Sequence, residues 1–386
     1  MEALVQAQGV AKTLLEDAAL VDHQACFPVR GLEALRESEL MGLLVPERYG
    51  GLGLGLAEFA AVARELSGAC LSTGLIWAMH QQQVTAISSA GEESLKDRLL
   101  PRVAAGGVYL ASVTSERGKG GHLLSARQAV VQDERGLLVE RDAPVVTGVS
   151  AADGFLITMR SGPDAPESSV SLVYVDRAQA EIEITGTWDP MGMRATDSRA
   201  AVIRAVVPSD QVVGGPGGFR EIALHPFVTA GHIGWAACWL GAAHALFRRF
   251  VAMLRSPKHR KGFALGEDLF GVRLARVRLL LDTVSAYLAR VLQEAEELDR
   301  TGRDPEDPAF QLHVNGLKVI ASEQLHEAVD QLMTLVGLRH GYLRNPDFPL
   351  ERVFRDLRSA SMNYANDRLL VANGWLAALD REVVLL

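Results

Sequence analysis

Cysteine is scarce in this chain of 386 residues: Cys26, Cys70 and Cys238 stand far apart and form no CxxC pair. A disulfide framework and a cysteine zinc site are therefore not expected. Buried free thiols in a reducing compartment are, which makes the cytoplasm the expected location. Aromatic residues make up only 6%, so the core must be built from Leu, Val, Ile and Ala. Positive charge is not in excess. The formal net charge is −8 and there is no long basic stretch, which argues against a nucleic-acid partner. The longest apolar run, Ile233 to Ala243, is about half a membrane span, so a membrane segment is not expected. The opening MEALVQAQG has neither a basic n-region nor an apolar h-region, and no secretory signal is expected.

Several motifs are missing as well. No GxGxxG follows a strand and opens a helix, and no GxxxxGK[ST] occurs, which disfavours a Rossmann domain or a P-loop. The histidines are scattered singly without HExxH spacing, so no metal is expected. No GxSxG elbow marks a serine hydrolase.

What is present falls into three textures. Residues 1–108 read as helices, with apolar periodicity from Phe27 to Val45, from Ala57 to Ile87 with possible breaks near Gly68 and Gly74, and from Leu95 to Ala104. Residues 109–214 carry short β-branched runs between Gly, Asp, Pro and Ser turns, the pattern of a small antiparallel barrel or sandwich. Residues 215–386 return to long amphipathic stretches, Gly271 to Glu296 and Leu312 to Leu335. The expected fold class is α+β: an N-terminal helical domain, a central β-domain and a C-terminal four-helix bundle.

Four segments carry a family resemblance. Leu44-Val45-Pro46-Glu47-Arg48-Tyr49-Gly50-Gly51 is similar to the N-terminal loop of acyl-CoA dehydrogenases. Ser115-Glu116-Arg117-Gly118-Lys119-Gly120-Gly121-His122 resembles their flavin loop. Pro190 to Ser198 resembles their G-x-R-x-T-x-S strand, and Arg352-Val353-Phe354-Arg355-Asp356 resembles their R-x-x-R-D. The resemblance spans nearly the whole chain. It implies FAD lying between the β-domain and the bundle, and a homodimer or homotetramer formed through the bundle. It also implies which residues touch the cofactor: Thr114, Ser115, Gly120 and Gly121 from the flavin loop, Val145 and Thr147 from the strand beside flavin N5, and Arg260 with Phe263 on the pyrophosphate and adenine side. Glycines there allow close approach of backbone amides, and a guanidinium suits a diphosphate.

The family's catalytic carboxylate has no counterpart. Leu357 to Arg368 contains no Glu, and Ile222-Ala223-Leu224-His225-Pro226-Phe227 has none at the alternative place. The nearby candidates for a base are His225, Glu221 and Asp367. Three functions remain open. One is α,β-dehydrogenation of an acyl-CoA or acyl-carrier-protein thioester with an atypical base, passing electrons to a transfer partner. Another is a flavin monooxygenase using O₂. The third is a non-catalytic subunit paired with an active relative.

Overall fold

The computed structural model describes residues 2–119, 122–258, 262–263 and 265–386. Five helices open the chain: α1 (Glu2–Gln24), α2 (Val29–Glu37), α3 (Leu56–Ala69), α4 (Leu71–Ala90) and α5 (Glu93–Ala104). The predicted helix from Phe27 to Val45 ends early. Ser38 is extended, and its hydroxyl accepts from Leu40 N at 3.3 Å, which turns the chain into a short 3₁₀ segment. The expected break in the second stretch occurs at Cys70, with φ −146°. Here α3 and α4 pack so closely that a Cβ on Gly74 would sit 2.0 Å from Ser67 Oγ.

Helix α4 is buried on nearly all sides, His80, Gln81, Gln82 and Gln83 included. A polar row can be buried only if it is hydrogen-bonded. Gln81 Nε2 donates to the Leu40 and Met41 carbonyls at 2.9 Å, and its Oε1 accepts from Leu44 N at 3.2 Å. The row thus staples α4 to the 3₁₀ segment.

Among the described residues the centre holds eight strands: β1 (Leu110–Val113), β2 (Val131–Asp133), β3 (Gly136–Val146), β4 (Gly154–Arg160), β5 (Val170–Asp176), β6 (Ala180–Thr185), β7 (Arg199–Val207) and β8 (Val212–Val213). They form two four-stranded sheets, ordered β1-β4-β5-β8 and β2-β3-β7-β6. Pairing is antiparallel as expected except for β1 with β4, which run parallel. The long excursion from Val113 to Gly154 supplies the crossover that a parallel pair needs. Strand period brings Leu137, Val139, Arg141 and Ala143 to the buried face of β3. The register of β3 slips between Ala143 and Val146. Pro144 has no N–H for the ladder, and the bulge re-aims Val145, which is 47% exposed.

The chain then turns helical: α6 (Phe219–Ile222), a wide turn at 223–227, α7 (Val228–Arg255), α8 (Asp268–Thr301), α9 (Pro308–Gly337), α10 (Leu350–Arg358) and α11 (Asn366–Leu379). Helices α7, α8, α9 and α11 pack as the bundle. Two of the sequence segments latch the β-domain onto it. Asp356 Oδ1 accepts from Met193 N at 2.6 Å, and Arg355 donates to Met191 O at 2.9 Å while pairing with Asp22 at 2.7 Å. Gly192 has no room for a Cβ, which would lie 2.0 Å from Arg355 O. Among the described residues, no helix is long and apolar enough to cross a membrane.

Candidate functional site

Between the β-domain and the bundle lies one cleft made of two adjoining cavities, each about 410 Å³, which share Met79, Val145, Thr147, Met362 and Asn363. The β-domain contributes Thr114 and Ser115 just after β1, Val145 from the bulge, and Thr147 and Ser198. The helices contribute Met79 and Gln82 from α4 and Phe227, Val228, His232 and Trp235 around the start of α7. Tyr364 and Arg368 come from the segment entering α11.

The lining suits a planar ring with a polar edge. Val145, Met191 and Met362 are 47%, 57% and 61% exposed, and all three face the cleft. Exposed apolar side chains gathered in one groove mark a surface that a ligand covers. A hydroxyl chain runs along the edge. Thr196 Oγ1 donates to Met193 O at 2.9 Å and lies 2.8 Å from Ser198 Oγ, which lies 3.0 Å from Thr147 Oγ1. Since a carbonyl only accepts, Thr196 spends its hydrogen there, Ser198 donates to Thr196, and Thr147 donates to Ser198. Thr147 therefore turns its lone pairs to the cleft. These residues fit the isoalloxazine of a flavin, with Thr147 beside its redox-active edge.

Beneath the loop that bears Ser115 sits a buried charge cluster. Arg141 Nη1 lies 2.9 Å from Glu116 Oε2, with side-chain exposures of 0% and 2%. The contact is an ion pair rather than an aligned hydrogen bond, because Nη1 and Nε of Arg141 have no hydrogen-bond acceptor among the described residues. Glu116 also accepts from Arg127 N at 3.0 Å and Gln128 N at 2.6 Å. Burial raises its pKa, but these amides and the Arg141 charge outweigh that and hold it below its ordinary value. Burial, with Arg141 adding to it, pulls Lys119 down to about 8.

The sequence candidates divide. Thr114, Ser115, Val145 and Thr147 come together in the cleft. Gly120, Gly121 and Arg260 lie outside the described residues. Phe263 packs at the α7–α8 connection, edge-on to Phe250 at 5.3 Å. None of the three candidate bases lines either cavity. His225 is extended within the wide turn (φ −159°), and its Nε2 lies 2.8 Å from Asp299 Oδ1 on α8. Glu221 is exposed on α6, and Asp367 is exposed in the first turn of α11. Among the described residues lining the cleft there is no Asp or Glu at all, and no group of three His, Cys, Asp or Glu residues is placed to hold a metal.

Sequence reasoning missed the inner wall. His232 is 2% exposed, its ring 5.7 Å from that of Trp235 and 6.4 Å from that of Tyr364. Tyr364 sits in the left-handed region at φ 53°. The fully buried Lys318 of α9 holds that segment: its Nζ donates to Tyr364 O at 2.9 Å and Asn366 Oδ1 at 2.7 Å. The available signal was a lysine and an asparagine on otherwise apolar faces of α9 and α11.

Comparison with known proteins agrees with the architecture. The family model "Acyl-CoA dehydrogenase, N-terminal domain" matches residues 6–107, and "Acyl-CoA dehydrogenase, C-terminal domain" matches residues 221–363. A probable acyl-CoA dehydrogenase, fadE25 of Mycobacterium leprae, is 26% identical over 354 residues, covering 90% of this chain and 86% of that protein. The L-evernosamine nitrososynthase of a Micromonospora strain is 27% identical over 410 residues, covering 97% and 89%. The crystal structure of FMN-bound TdsC from Paenibacillus sp. A11-2 superposes with a TM-score of 0.84 at 21% identity, covering 97% of this chain and 96% of that one. With family models matched at both ends, more than half the chain is accounted for, and it belongs to the acyl-CoA dehydrogenase family of flavin-dependent oxidoreductases.

Proposed function

We propose that the chain uses FAD in this cleft to carry out oxidoreductase chemistry on an apolar substrate held against Met79, Phe227, Trp235 and Tyr364. The observation that carries this reading is the gathering of Thr147 and the three exposed apolar side chains in one cleft at the domain boundary. When bound, the flavin supplies a hydride acceptor at N5. The family's reaction would then be α,β-dehydrogenation of an acyl thioester, with electrons passed on to a transfer partner. In the proposed assembly the chain is a cytoplasmic homodimer or homotetramer. Leu370, Val371, Trp375 and Leu379 of α11 are exposed and supply apolar surface for it. Arg260 and Phe263 would face the cofactor of the partner subunit.

A second reading is favoured by one observation: among the described residues the cleft lining has no carboxylate. α-Proton removal needs a base within hydrogen-bond reach. A monooxygenase on this fold, using reduced flavin and O₂, needs none. The nitrososynthase relative and the structural neighbour TdsC, a dibenzothiophene monooxygenase, are compatible with this chemistry. The deciding experiment is anaerobic. Bleaching of the visible flavin band by an acyl-CoA panel supports dehydrogenation. No bleaching, combined with substrate-stimulated O₂ uptake by the reduced protein, replaces it with the monooxygenase. A protein purified without flavin sinks both and leaves the non-catalytic subunit.

Two predictions attach to this site. His225→Ala, Glu221→Gln and Asp367→Asn are each expected to retain FAD and to change flavin reduction less than about threefold, because none reaches the cleft. A loss of 10²–10⁴ in any of them, typical of general-base removal, would restore that residue as the base. Thr147→Val removes an acceptor facing the cleft. An acceptor favours the protonated, reduced N5, so the variant's midpoint potential is expected to fall by about 20 mV, equivalent to roughly 1 kcal/mol for a two-electron couple. Spectroelectrochemistry reads this directly; an unchanged or raised potential means that Thr147 does not accept from the flavin.

A further inference from the structure

His232 is a buried ring in the cleft wall with one nitrogen committed and one open. Its Nδ1 lies 3.3 Å from Val314 O. A carbonyl only accepts, so Nδ1 carries the hydrogen. Burial, together with the nearby Lys318 ammonium, lowers the imidazole pKa to about 3 and keeps the ring neutral. Nε2 is then a lone-pair acceptor. No described residue bonds it, and it is not among the unpaired atoms sealed away from space. Since His232 lines the cavity, that acceptor opens on it.

The surroundings make the acceptor specific. Gln82, beside it in the lining, is already committed: its Nε2 donates to Phe227 O at 2.9 Å and its Oε1 lies 3.4 Å from Gln83 Nε2. Trp235 Nε1 is a buried donor without a partner among the described residues, and Asn363 and Arg368 also line the cavity. Trp235 and Tyr364 flank the imidazole and hold it in place. Lys318 in turn fixes Tyr364 through its carbonyl. His232 Nε2 is thus a fixed acceptor in an aromatic stretch of the wall, between Trp235 and Tyr364.

Resting on the proposed reading of the cleft as the substrate site, we infer that His232 Nε2 selects substrates carrying an N–H or O–H donor on an apolar or aromatic frame and accepts a hydrogen bond from that donor. A substrate lacking the donor leaves a desolvated acceptor unmet, and this penalty is the source of discrimination. His232 is thus a specificity residue for the cavity, and Lys318 a positioning residue behind it.

The test uses the flavin-loaded protein and two probes of one frame, 2-naphthol and 2-methoxynaphthalene, with binding followed by calorimetry so that the readout does not depend on turnover. The parent protein is expected to bind the naphthol about five- to thirtyfold more tightly than the ether, the range of one neutral hydrogen bond plus an unmet acceptor. Methylation also adds bulk, so the decisive quantity is the change in that ratio between proteins. His232→Phe keeps a ring and is expected to bring the ratio close to one. His232→Gln keeps an acceptor and is expected to retain most of the preference, which covers the case in which the Phe variant folds poorly. An undiminished naphthol preference in His232→Phe overturns the proposal, as does a parent protein that prefers neither probe or binds neither. Purification without flavin is a separate failure, that of the cofactor reading, and the same ratio measured on the flavin-free protein then decides the role of His232.

Discussion

A Glu116→Gln variant is expected to lose about 3–5 kcal/mol of stability and to release its flavin far more readily than the parent, because it strands a buried arginine. Arg141 points into the β-domain from the buried face of β3, and Glu116 is its only carboxylate partner among the described residues. The amide would leave the guanidinium charge uncompensated in a low-dielectric interior. It would also weaken the two acceptor sites that hold Arg127 N and Gln128 N. Ser115 is the adjacent residue in the cleft wall, so loosening Glu116 loosens the flavin edge. Urea denaturation and flavin retention on gel filtration measure the two effects. Adding Arg141→Met to Glu116→Gln removes the stranded charge and is expected to recover part of the loss, since removing both partners of a buried pair costs less than removing one. A Glu116→Gln protein within about 1 kcal/mol of the parent would mean that water reaches the pair.

Stability is expected to fall by about 3 kcal/mol between pH 7 and pH 5. Two histidines account for the direction. Burial lowers His80 to about 4 and His232 to about 3. In His80 both ring nitrogens are committed in the neutral form: Nε2 faces Met41 O at 3.0 Å and Nδ1 accepts from Leu110 N at 3.1 Å. A second ring proton would oppose that amide. Both folded pKa values lie below the unfolded value near 6.5, so the unfolded chain binds more protons below pH 6.5. Their contribution is complete above pH 6.5 and is lost as pH falls toward 4, roughly 2 kcal/mol for each by pH 5. Asp356 opposes this. Burial first, and then the nearby Asp22, raise its carboxyl to about 6, so it gains stability on acidification. Its gain by pH 5 is about 1 kcal/mol, smaller than the histidine loss. Denaturant midpoints at the two pH values, repeated on His232→Phe, check the account: the variant should show about half the histidine slope. A flat profile in the parent would mean that at least one of these rings is already charged in the folded protein.

The sequence's own signals differ in what they delivered. The change from helix to strand was legible because periodicity switches from 3.6 to 2. The structure has α5 ending at Ala104 and β1 beginning at Leu110. Strand β6 gives little signal in the sequence, since Ala180–Thr185 alternates with exposed glutamates and is only half-buried. Strand β3 shows in the sequence as two apolar fragments because Glu140-Arg141-Asp142 and Pro144 interrupt the pattern, and the bulge after Ala143 presents Val145 to the cleft. The Glu116 and Asp356 motifs were read as cofactor and family signatures. In the fold they act first as latches, one within the β-domain and one between it and the bundle.

By itself the sequence determined the helix–strand–helix order, the family, and the four cleft residues contributed by local β-structure: Thr114, Ser115, Val145 and Thr147. The order is set by short-range pattern and by glycine and proline positions, whereas the family and the four residues follow from the resemblance of whole segments to acyl-CoA dehydrogenases. Only the tertiary structure decided the other wall. His232, Trp235, Tyr364 and Lys318 come from α7, α9 and the segment entering α11, and nothing in their spacing says that they meet. It also decided that His225, Glu221 and Asp367, adjacent to the right segments in sequence, turn away from the cleft. A one-residue change of phase on a helix rotates a side chain by about 100°, enough to move it from cavity to solvent. At Asn366 and Asp367 that rotation buries the amide on Lys318 and leaves the carboxylate exposed.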